Sequence, residues 1–174
     1  MKSLRAGAGL SLLAGVTGLL TVSSVAFADV EDFEFESFSA RYVLGTDSAG
    51  RAQLDVTETL VPVFPDFDQN RGLVRYLPNW YGQTPLNPSV HSLTDGLGSP
   101  RPLDVSVDGD WTIVDSVVPE GQFLYGRQVY VLDYSMSDVV KDFGDSTGYQ
   151  EFYWDINGTG WRQLFAEVSA EVVI

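Results

Sequence analysis

The chain of 174 residues carries 24 Asp and Glu against 10 Lys and Arg, a formal charge of −14, with no cysteine and a single histidine, His91. Without cysteine there is no disulfide framework, no thiolate metal site and no cysteine nucleophile, and one histidine excludes a multi-histidine zinc centre. The acidity works against binding nucleic acid or anionic lipid, both of which call for Lys and Arg, while a hydrophobic fraction of 44% is ordinary for a folded core.

Residues 1–28 have the layout of a secretory signal peptide. Lys2 and Arg5 form a positive start, an apolar run rich in Gly, Ala and Leu follows at about 10–20, and Ala26-Phe27-Ala28 gives a small-residue cleavage pattern before Asp29. Glycines and hydroxyl residues interrupt the run, so it makes a poor membrane span. Export with cleavage after Ala28 is the expectation. The remaining 29–174 hold 8 basic against 24 acidic residues, a charge of −16, in a length that suits one domain.

The expected elements then follow in chain order. Residues 29–37 read as an acidic lead-in, and the folded domain is expected over 38–174. Phe38, Ala40, Tyr42 and Leu44 share one parity and predict a strand. A turn cluster at 45–50 leads to a second strand over 52–64, with Leu54, Val56, Glu58 and Leu60 on one face and Pro62 and Pro65 marking an edge or a bend. Residues 65–88 hold many Pro, Gly and Asn but also many large apolar side chains, and are expected to be an ordered crossover.

Short strands are expected at 90–93 and 103–107. Asp108-Gly109 gives a strong hairpin signal, and a strand continues from Trp111. Alternation returns over 127–136, then in an aromatic segment at 149–156, and last at 164–174. No window shows a helical period. The expected fold is all-β, an antiparallel β-sandwich, because parallel pairing calls for helical crossovers that the sequence lacks. The chain stops inside an apolar strand, from which a longer protein is expected.

Glu58 is the most informative residue. Its parity places it on an apolar strand face, where a carboxylate must be paired. Arg75, set among Leu73, Val74, Tyr76 and Leu77, is the expected partner, in a pair that fixes the crossover to the sheet. A perturbed carboxylate for acid–base chemistry is the competing reading.

Asp66-Phe67-Asp68-Gln69-Asn70 begins like a calcium loop, but Arg71 stands where glycine is needed and Leu77 where the bidentate Glu is needed. The acidic turns at Asp104/Asp108/Asp110 and Asp138/Asp142/Asp145 could bind a hard cation weakly, but solvated turns are the favoured reading, so no metal and no cofactor is expected. Trp80, Tyr81, Trp111, Tyr149, Phe152, Tyr153, Trp154 and Trp161 could stack sugars, although aromatics in a sandwich more often build the core. Asn157-Gly158-Thr159 is formally a glycosylation sequon and equally a turn. No nucleophile-elbow motif accompanies His91, and no acidic pair of the glycosidase kind stands out.

Several short motifs in fixed order carry a family resemblance. They are Val56-Thr57-Glu58, the segment 71–78 (RGLVRYLP), Tyr130/Leu132/Tyr134, and the segment 153–161 ending in Trp161 and containing Trp154, Asn157 and Gly158. Together they resemble the N-terminal extracytoplasmic domain of the YciQ-like predicted bacterial membrane proteins, a domain of unknown function also catalogued by the number 2207. Asp155 departs from the Asn expected beside Trp154.

The resemblance implies membrane spans outside this chain and supplies no activity, cofactor or catalytic residue. The expectation is therefore a non-enzymatic domain on the extracytoplasmic face of the cell membrane. Its role would be interaction or sensing with an unknown protein or cell-wall partner, and no nucleic acid. The alternatives are a carbohydrate- or cell-wall-binding module and, less favoured, a carboxylate-dependent hydrolase. The structural candidates are Glu58, Arg75, Trp154, Asn157, Gly158 and Trp161.

Overall fold

A computed structural model describes residues 30–142 and 148–174; the signal peptide expected at 1–28 lies outside the described residues. Two long strands, β1 (Glu34–Thr46) and β2 (Ala52–Phe64), form an antiparallel hairpin. Asp47 closes the turn between them. Its Oδ1 accepts from the backbone N–H groups of Ala49 and Arg51 at 2.8 and 2.9 Å, and its Oδ2 accepts from Arg51 Nε at 2.9 Å. These donors hold the exposed Asp47 carboxyl below its ordinary pKa, the Arg51 N–H first among them.

The remaining strands fall into two principal sheets. β3 (Gly72–Pro78) pairs with β8 (Trp111–Val117), which pairs with β7 (Asp104–Asp108), all antiparallel. In the larger sheet β2 continues to β10 (Tyr130–Ser137) and then to β6 (Ser89–Thr94), while the short β9 (Gly126–Arg127) pairs with the end of β2. β13 (Val168–Val173) lies on the free side of β1. Two ribbons complete the fold: β4 (Trp80–Tyr81) with β5 (Thr84–Pro85), and β11 (Val140–Asp142) with β12 (Gln150–Phe152).

The period of two explains how the sheets meet. Leu54, Val56, Glu58 and Leu60 of β2 stand beside Tyr130, Leu132, Tyr134 and Met136 of β10 on one buried face. Leu73, Arg75 and Leu77 of β3, with Thr112, Val114 and Ser116 of β8, supply the facing buried layer. The fold is all-β, with one core shared by both sheets.

Four details depart from the sequence expectation. β1 starts at Glu34, inside the segment read as an acidic lead-in over 29–37. A register shift between Phe35 and Ser37 turns both Phe35 and Phe38 inward, so strict alternation from Phe38 hid the strand's first residues. β2 is central rather than an edge, and Pro62 sits opposite Phe35 beside that shift.

The β1–β13 pair is parallel, which the all-antiparallel expectation did not contain. The chain returns to the same edge by way of the second sheet, and that long excursion replaces the helix of a usual crossover. Last, the expected strand at 149–156 narrows to Gln150–Phe152. Phe152, Trp154 and Ile156 alternate and pack against the core, but only Phe152 has a ladder partner, Val140; beyond it the period of two reflects covering, not pairing.

Candidate functional site

A buried polar network joins the two sheets. Glu58 is 0% exposed and Arg75 8%. Arg75 Nη2 donates to Glu58 Oε1 at 2.8 Å and Arg75 Nε donates to Oε2 at 2.9 Å, a bidentate pair. The Tyr134 hydroxyl donates to Oε1 at 2.8 Å. Burial alone would lower the Arg75 pKa, but the adjacent Glu58 carboxylate outweighs it, so the guanidinium is held above its ordinary value. Burial first, and Glu58 second, push the Tyr134 and Tyr42 hydroxyls up, so both stay protonated. Glu58 thus accepts three hydrogen bonds and is held as a structural carboxylate.

The network reaches a turn on the other side. The Tyr42 hydroxyl donates to the Ile156 carbonyl at 3.0 Å. The Gly158 N–H donates to the Asp155 carbonyl at 3.2 Å, which closes a turn containing the half-buried Asn157. Gly158 has φ 72°, and a Cβ there would lie 2.8 Å from Arg75 Nη1. Only glycine therefore meets both the left-handed backbone and the close approach.

Beside this turn opens a cleft of about 400 Å³, lined by β3, β4, the start of β8 and the segment 153–160. Five aromatic side chains on it are substantially exposed: Tyr76 44%, Trp80 48%, Tyr81 36%, Trp111 42% and Tyr153 61%. Tyr76 and Trp111 meet edge to face, with ring centroids 6.3 Å apart. Arg75 and Trp154 lie on its inner wall, and Asp155 is the one carboxylate among the described lining residues.

The structure divides the aromatic candidates. Trp80, Tyr81, Trp111, Tyr153 and Trp154 share the cleft. Trp154 also stacks on Phe152, with centroids 6.3 Å apart and planes 7° apart. Trp161 does not join them; it packs edge-on to Phe35 at 4.9 Å. Tyr149 is exposed and off the cleft. Sequence reasoning missed Tyr76 as a cleft residue. Its signal was present in its parity, opposite to that of Arg75, which turns it to the outer face of β3.

His91 Nε2 lies 3.0 Å from Ser135 Oγ. The nearby Asp133 carboxylate instead accepts from Thr57 Oγ1 at 2.6 Å and Ser92 Oγ at 3.0 Å, so no triad forms there. Among the described residues, no group of three or more His, Asp or Glu converges to hold a metal ion. Also among the described residues, no helix is long and apolar enough to cross a membrane.

The family model described as the predicted membrane protein (DUF2207) N-terminal domain matches residues 49–174. The match includes Glu58, Arg75 and every lining residue of the cleft. No curated protein matches the chain.

Proposed function

Because the chain belongs to the DUF2207 family of predicted membrane proteins, we propose that it is the extracytoplasmic domain of a membrane-anchored envelope protein and acts, without catalysis, in interaction or sensing. The observation that carries this reading is the cleft. Soluble faces rarely leave five large aromatic side chains gathered and exposed unless something binds there. A carbohydrate- or cell-wall-binding module is the second reading, and the same aromatic lining favours it.

The cleft's polar groups support binding over hydrolysis. Glycoside hydrolysis commonly needs two carboxyl groups facing each other across the bond that breaks. Asp155 stands alone among the described lining residues, and Glu58 is committed to Arg75 and Tyr134. The acidic surface keeps the domain soluble and sets it against anionic partners.

The test is co-sedimentation of the purified protein with isolated bacterial envelopes, for the wild type and for Trp80→Ala/Trp111→Ala. Trp80 is 48% and Trp111 42% exposed and neither packs in the core cluster, so the variant should melt within a few degrees of the wild type. At least tenfold weaker co-sedimentation is the expected result. Equal retention by the two proteins would remove the cleft from the function.

A further inference from the structure

Resting on that interaction role, we infer that the cleft binds an uncharged glycan segment, a run of neutral pyranose sugars, with its ring faces on the aromatic wall and a hydroxyl held between Arg75 and Asp155. The aromatic wall alone would suit several ligands. The two charged groups that line it, Arg75 and Asp155, narrow the choice.

Arg75 has donors to spare. Its side chain is 9% exposed, Nε and Nη2 are committed to Glu58, and among the described residues Nη1 reaches only the Tyr76 carbonyl, at a long 3.4 Å. Gly158 packs against that edge of the guanidinium with no side chain of its own, and Arg75 still lines the cleft. Glu58 cancels the charge of Arg75, so the base of the cleft offers a hydrogen-bond donor without a net positive charge. Asp155 supplies the opposite function: it lines the cleft, and among the described residues no salt bridge or side-chain hydrogen bond engages its carboxylate.

A ligand that satisfies both groups must accept and donate hydrogen bonds while presenting an apolar face to aromatic rings. A pyranose does so, because each hydroxyl is both donor and acceptor and the C–H face is apolar. An anionic polymer meets Asp155 and a chain of charge −14. A tetraalkylammonium cation has no lone pair for Nη1. A polyproline peptide suits aromatic grooves but has no backbone N–H for Asp155.

The experiment follows tryptophan fluorescence of the purified protein titrated separately with tetra-N-acetylchitotetraose, cellotetraose, maltotetraose, tetragalacturonic acid and deca-L-proline. Saturable quenching by at least one neutral tetraose is expected, with little dependence on salt. Tetragalacturonic acid should bind at least tenfold more weakly than that tetraose. Asp155→Ala and Trp111→Ala should each weaken the neutral ligand about tenfold while the melting temperature stays near wild type.

Two results would overturn the glycan alone. One is quenching by deca-L-proline with silence from all three neutral sugars. The other is silence from every probe while envelope co-sedimentation still depends on Trp80 and Trp111; either leaves the interaction role standing. If co-sedimentation also ignores those residues, both proposals fall together.

Discussion

The inner face of the six-stranded sheet is covered in two ways. Over β2, β10 and β6 lies a second sheet, whose alternate residues Leu73, Arg75, Leu77 and Val114 are buried. Over β1 lies the segment 152–165, which has almost no ladder of its own. There Phe152, Trp154, Ile156, Trp161 and Phe165 pack on the core yet stay only partly buried, against Tyr42 and Phe35. A ladder satisfies its backbone internally and can use medium-sized side chains at every second position. An irregular cover lacks that periodic placement and relies on large aromatics with a few directed hydrogen bonds, such as Tyr42 to Ile156. The two covers do not merge smoothly. Their seam is the cleft, with β3 and β8 on one side and 153–160 on the other.

The sharpest way to break the ladder-built side is at its anchor. Glu58→Ala leaves Arg75 buried without its partner and should cost about 3–5 kcal/mol. Denaturant unfolding measures it, and wild-type stability in this variant would refute the anchoring role. Glu58→Leu with Arg75→Met removes both charges and should recover much of the loss.

Alkaline titration comes next and reads both covers at once. Burial raises Tyr130 to about 12 and raises Tyr42 and Tyr134 above the ordinary tyrosine value of about 10. The unfolded chain therefore releases these protons at lower pH than the folded one. Their contribution is fully present below pH ~10 and falls as pH rises above it, by up to about 1.4 kcal/mol per pH unit for each tyrosine. Unfolding midpoints between pH 8 and 11 should show that slope. Tyr42→Phe, under the irregular cover, and Tyr134→Phe, under the second sheet, should each reduce it by about one third; an unchanged slope in either would mean that side opens before the tyrosine ionises.

The same division governs what could be read from the sequence. Strand parity placed Leu54, Val56, Glu58 and Leu60 on one face, and the cost of an unpaired carboxylate there singled out Arg75 from its apolar neighbours. Both inferences use rules that hold locally, and the structure brings the two side chains together. The irregular cover follows no such rule. Trp154 and Trp161 looked alike in sequence, yet one lines the cleft and the other packs on Phe35, because a turn at 155–158 redirects the chain between them. The parallel seat of β13 was equally illegible, since it depends on where the chain arrives after the second sheet is built. The cleft joins Tyr76 to Tyr153, residues far apart in the chain, and no spacing announces that.

Gly158 is where the two covers touch most closely, and it gives the smallest of these effects. Gly158→Ala places a Cβ at φ 72° and 2.8 Å from Arg75 Nη1. The left-handed backbone costs an alanine about 1–2 kcal/mol, and the guanidinium edge can yield only by loosening its hold on Glu58. Stability should therefore fall by that amount or slightly more, measurable by urea unfolding. A Gly109→Ala control, at φ 55° with nothing within 4 Å of its Cβ, carries the backbone term alone. If Gly158→Ala costs more than this control, the excess reports the contact between turn and guanidinium. Equal losses would mean that the turn moves away freely, and that the irregular cover rests on its aromatics rather than on Arg75.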